Sequence, residues 1–181
     1  MRGMMSRTAL FSLALVAVTA APAAGQDLKA ALMDDFQRMR GNVLMMVEAM
    51  PEAELRSSPT DGVRDFAQQI EHVVMGSVSI IGSGVDRPAS GLGDADTYLN
   101  SKSEMLAFVN RGFDRVNEML AGMSASDLMA ETSLFGQATV QKWKLAQTAY
   151  EHGVWTLGAT VPYVRMAGSA PAGYNLIPGN N

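Results

Sequence analysis

Leu32, Phe36, Met39, Val43, Met46 and Met50 follow one another in alternating steps of four and three residues. At 3.6 residues per turn that spacing gathers them onto a single stripe, the pattern of a helix that must bury one face against other helices. The stripe returns three times. Val63, Phe66, Ile70, Val73, Val74 and Ile81 mark a second segment, and Leu106, Val109, Phe113, Val116, Leu120 and Met123 a third. Trp143, Ala146, Tyr150, Gly153, Val154, Leu157, Val161 and Val164 mark a fourth, from about Val140 to Met166. Four amphipathic segments predict an all-α chain that forms a four-helix bundle.

Punctuation between the segments supports that reading. Pro51 ends the first, because proline cannot donate the next helical hydrogen bond. Gly82 and Gly84 stop the second. The stretch from Ser83 to about Tyr98, rich in Gly, Asp, Ser and Pro, is long enough to run the height of a bundle, so a long crossover is expected between the second and third helices. Its glycines lack a phosphate-loop pattern and read as a flexible connection. Between Ser124 and Thr139, a Ser124/Asp127 cap and a turn at Phe135 and Gly136 predict a brief helix and irregular structure. Pro162 should bend or loosen the fourth segment.

The N-terminus carries Arg2 and Arg7, the apolar run Ala9 to Ala21, and then small residues at Ala23, Ala24 and Gly25. Residues 1–25 read as a secretory signal peptide cleaved between Ala23 and Gln26, leaving a domain over 26–168 and an irregular tail over 169–181. Export to the periplasm or the medium follows, with no membrane attachment after cleavage. Removing the two charges of Arg2 and Arg7 takes the formal net charge from −4 to −6. An acidic chain without a basic stripe is not a nucleic-acid binder, since Lys142 and Lys144 beside Trp143 amount to a solvated helix start. The absence of cysteine excludes disulfides, a thiolate nucleophile and a cysteine zinc site. Stability therefore rests on a packed core, for which the remaining chain of about 155 residues is long enough.

The chain has two histidines, His72 and His152, each preceded by a glutamate and each inside a helical segment. Two imidazoles from different helices could hold a divalent metal, although a stable site wants a third protein ligand. One turn beyond His152 stands Thr156. Each histidine lies two positions past a seam residue, Ile70 or Tyr150, about 200° around the helix. They therefore line a groove between helices or face water. Glu71 and Glu151 are turned about 100° away from their neighbouring histidines and are poor substitutes for the missing ligand. No nucleophile elbow ties a serine to a histidine and a carboxylate. The frequent methionines, Met39, Met46, Met50, Met105, Met119 and Met123 among them, read as core filling. Arg165 could compensate a helix C-terminus or meet an anionic group.

The run Met50 to Val73, MPEAELRSSPTDGVRDFAQQIEHV, resembles the loop and second helix of DinB-like proteins. The ending EHGVWTLGATVPYVRMAGSAP resembles that family's last helix, with His152, Gly158, Tyr163, Arg165, Gly168 and Pro171 in matching places. The resemblance covers essentially the whole mature chain and implies a four-helix bundle with a long crossover. It also implies a divalent metal, zinc or nickel, held by one histidine of the second helix and two of the last. His72 and His152 match two of those positions. Thr156 stands at the third, and Ala159 replaces the usual glutamine.

Two functional expectations follow. One is an exported, non-catalytic or degenerate member with an incomplete histidine site, binding an unknown small molecule or protein and pairing as a homodimer through an exposed helix face. The other is a divalent-metal-dependent thiol S-transferase with His72 and His152 as ligands and Thr156 orienting water or substrate.

Overall fold

The computed structural model describes residues 21–171 and 173. Most of the signal-peptide expectation lies outside these residues, as does most of the tail from Ser169 to Asn181. Helix α1 spans Ala21–Ala49 and a short 3-10 turn follows over Glu52–Glu54. Helices α2 (Phe66–Ser83), α3 (Ala95–Tyr98), α4 (Lys102–Ala121) and α5 (Ala125–Met129) come next. An antiparallel hairpin of β1 (Glu131–Leu134) and β2 (Ala138–Gln141) leads into α6 (Lys142–Gly158) and α7 (Val161–Met166). Helix α1 already contains the expected cleavage window, so cleavage there would shorten its first turns only.

The four long helices surround one core. Helix α1 packs on α4 and α6, and α2 packs on the same two. The first stripe is buried throughout, from Leu32 to Met50, and so are all six methionines singled out above. In the third stripe Leu106 is only partly buried, and the neighbouring Met105 and Phe108 complete the seam instead. Glycine permits two of the close approaches. A Cβ at Gly112 of α4 would overlap Val74 of α2, and one at Gly153 of α6 would lie 2.6 Å from the Met39 sulfur of α1.

Three local expectations need correction. The second helix begins at Phe66 rather than Val63, because Asp65 forms a full capping box with Gln68; Val63 lies ahead of the cap and is 45% exposed. The region after α5 is not irregular but forms the hairpin, with Glu131 paired to Gln141 and Leu134 to Ala138. The fourth segment is broken. Helix α6 ends at Gly158, and Pro162 falls in the first turn of a new helix, where its missing N–H costs nothing.

The expected loop from Ser83 to Tyr98 is tied down rather than loose. Arg111 donates from Nε to the Leu92 carbonyl at 2.7 Å. Leu92 and Tyr98 are buried, and the Tyr98 ring stacks on Phe108 at 4.0 Å. At its start, the Gly82 carbonyl accepts hydrogen bonds from both Val85 and Arg87, which turns the chain sharply off α2.

Candidate functional site

His72 on α2 and His152 on α6 face each other across a helix contact. Their Nε2 atoms stand 3.2 Å apart, and the rings meet edge to face at 4.8 Å between centroids. The approach is made possible by Gly76, one turn after His72. A Cβ there would overlap Cε1 of the His152 ring and lie 2.7 Å from its Nδ1. The His152 imidazole thus occupies the space that any side chain at position 76 would fill.

Hydrogen bonding fixes how the pair shares protons. One Nε2 must donate and the other accept. His152 Nδ1 is buried with no partner among the described residues. A buried, unpaired N–H is rarer and costlier than a bare acceptor, so the proton of His152 belongs on Nε2, donated to His72. His72 then carries its own proton on Nδ1.

Burial and a nearby positive charge disfavour protonation of both rings. Burial pushes the His72 value below the ordinary 6.5, the positive charge of Arg64 and the facing His152 add to it, and Glu71 opposes. Burial and then Arg64 lower His152 in the same way. Arg64 sits in the loop before α2, its carbonyl accepting a 2.7 Å hydrogen bond from the Tyr163 hydroxyl of α7, which in turn accepts from Gln69 at 3.3 Å. The influence of Arg64 on the pair was not foreseen from the histidine spacing.

Thr156 is buried, 6% exposed, one turn beyond His152. Glu71 accepts a 2.6 Å hydrogen bond from the Tyr98 hydroxyl, and Glu151 accepts from Gln147 at 2.9 Å, so both carboxylates are engaged elsewhere. Among the described residues no group of three or more His, Cys, Asp or Glu side chains is placed to hold an ion. Lys144 bonds Gln147 and lies over Trp143, as a solvated helix start should. Trp155, between His152 and Thr156 in sequence, is 85% exposed and had no signal beyond its type.

A solved structure of a DinB-like protein from Bacillus subtilis is similar in fold, with a TM-score of 0.65 and 17% identity, over 80% of this chain and 97% of that one. No curated protein matches the chain. The family model for the DinB superfamily matches residues 35–159, a span that includes both histidines and Thr156. The chain belongs to the DinB superfamily.

Proposed function

We propose that this chain is an exported four-helix-bundle member of the superfamily, with a crossover between its second and third long helices, that acts as a binding module and not as a metal-dependent enzyme. His72 and His152 form a neutral, hydrogen-bonded pair at the place where the family resemblance implies a divalent ion. The observation that carries this reading is the partnerless, buried Nδ1 of His152.

A histidine that ligates a metal through Nε2 keeps its proton on Nδ1, and that N–H is ordinarily donated to a carboxylate, carbonyl or water. For His152 the described residues supply no such acceptor. Metal binding would therefore move the proton to the atom least able to bear it. The third position adds nothing, because a neutral threonine hydroxyl is a poor donor for zinc or nickel. Arg64 raises the cost further, since its field lowers the proton affinity of both rings and repels any cation in the same place.

One observation favours the second reading, a divalent-metal-dependent thiol S-transferase. Two nitrogens bound to a tetrahedral ion at about 2.0–2.1 Å lie roughly 3.3 Å apart, close to the 3.2 Å between the Nε2 atoms. His72 and His152 would then hold the ion, which would supply Lewis-acid activation of a thiol, and Thr156 would orient the incoming group.

Calorimetric titration of the untagged protein with zinc separates the two. The binding-module reading expects affinity weaker than about micromolar, a binding free energy smaller than roughly 8 kcal/mol, and little change in the His72→Ala, His152→Ala double variant. A one-to-one site tighter than that, lost in the double variant, would establish the metal reading instead.

A further inference from the structure

Some fifteen ångströms along α2 from His72, at 1.5 Å per residue, a second cleft lies between the corner that follows α2 and the tip of the hairpin. It is an open depression of about 450 Å³, lined by Ser79, Gly82, Asp86, Arg87, Pro88 and Phe135 among others. That is within the size range of small-molecule sites. It owes nothing to the histidine pair or to the reading given above.

Two non-glycine residues among those described have positive φ, Asp86 at 53° and Phe135 at 50°, and both line this cleft. Asp86 is held there by the corner itself. Gly82 accepts from the N–H groups of Val85 and Arg87, and a Cβ at Gly82 would overlap the Arg87 carbonyl. The corner is therefore rigid, and it presents the neighbouring Asp86 and Arg87 from a fixed backbone.

Phe135 has no such reason. It occupies the first of the two central positions of the β-turn closed by Gln137 N–H to the Leu134 carbonyl at 2.9 Å, within the three-residue loop between the paired Leu134 and Ala138, with Gly136 at φ 73°. A turn with positive φ at both central positions favours Asn, Asp or Gly at the first of them, because a left-handed backbone is costly for a bulky side chain. Strain of this kind persists where the surroundings over-determine it and clusters at ligand sites. The Phe135 ring is 56% exposed, so packing within the chain does not repay the strain.

We infer that the cleft binds a small zwitterion with an apolar side chain, an aromatic or aliphatic free amino acid. Arg87 meets the carboxylate, Asp86 the ammonium, and Phe135 with Pro88 covers the apolar body. The charge complementarity is direct: the side chains of Arg87 and Asp86 are exposed and engage no hydrogen bond or ion pair with any described residue. An adjacent cation and anion on a rigid corner match a ligand whose own charges are two bonds apart, and each charge-assisted hydrogen bond adds to affinity and orientation.

The test uses the full chain and L-phenylalanine as probe, with 3-phenylpropionate and 2-phenylethylamine as analogues that each lack one charge. Calorimetry should show L-phenylalanine binding at least about tenfold tighter than either analogue, the loss expected when one charged partner goes unmet. Arg87→Gln should weaken L-phenylalanine about tenfold or more. Phe135→Asn should raise the melting temperature, since asparagine accepts the left-handed turn, while weakening L-phenylalanine by a similar factor. The opposite signs for stability and binding distinguish a ligand contact from a structural one. No heat of binding at millimolar L-phenylalanine, equal affinity for 3-phenylpropionate, or unchanged affinity in Phe135→Asn would each overturn the proposal.

Discussion

Gly76→Ala should reverse sign depending on what stands at position 152. In the native background the new methyl overlaps the His152 ring at Cε1 and lies 2.7 Å from Nδ1. The ring has to leave, and with it goes the 3.2 Å contact to His72. Overpacking of this kind costs about 1–3 kcal/mol, and loss of the imidazole hydrogen bond about 1 kcal/mol more. Replacing a mid-helix glycine by alanine returns about 1 kcal/mol of helix propensity. The net is a destabilisation of about 1–3 kcal/mol. In a His152→Ala background nothing opposes the methyl, and Gly76→Ala should stabilise by up to about 1 kcal/mol. Urea denaturation of the four proteins of this cycle, followed by far-ultraviolet circular dichroism, measures both numbers and their difference. A Gly76→Ala variant that is as stable as the native protein, with the same effect in both backgrounds, would refute the placement of the His152 ring against Gly76.

Three further outcomes are expected. Both histidines have folded values below the ordinary 6.5, so their contribution to stability is fully present above that pH and declines as pH falls below it through the lower folded values; urea midpoints at pH 7.5 and 5.0 should drop with acid, and less so in His152→Gln, while an equal drop in both would contradict the neutral pair. Asp65→Ala removes the capping box of α2 and the 2.7 Å ion pair with Arg56, and should cost about 1–2 kcal/mol in the same assay, whereas Trp155→Ala on the exposed face of α6 should stay within about 0.5 kcal/mol. Thr156→His supplies the third imidazole that the family resemblance implies and should raise zinc affinity by about a hundredfold or more, a gain that calorimetry would miss only if the helices cannot bring position 156 to the pair.

The helical seams were legible because burial and periodicity are the same fact in an amphipathic helix: Leu32, Phe36, Met39 and Val43 had no other reason to recur at those steps. Val63 misled because it continues the stripe in sequence while Asp65, two residues on, caps the helix and leaves it outside. The hairpin strands were hidden by their brevity, four residues each, with faces that alternate only weakly between exposed and half-buried. Pro162 announced a disturbance but not its place, since the break comes before it, at Ala159 and Thr160.

The candidate site was half legible. Counting round the helix put both histidines off the seam and left a groove or solvent as alternatives, and the structure places them in contact. Gly76, four residues after His72, was the available signal, because a glycine inside an apolar helix often marks a close approach. Sequence alone could not say that an imidazole would fill the space. The part played by Arg64 was illegible for a different reason: it depends on the loop before α2 folding back to Tyr163, a contact between residues ninety-nine positions apart.

Elemental analysis of untagged protein, purified without chelator beside the His72→Ala, His152→Ala double variant, tests the neutral-pair reading most directly. That reading requires zinc, nickel and other divalent ions to stay far below one equivalent in both proteins. Near-stoichiometric metal in the native protein, absent from the double variant, would contradict it and make the two histidines ligands.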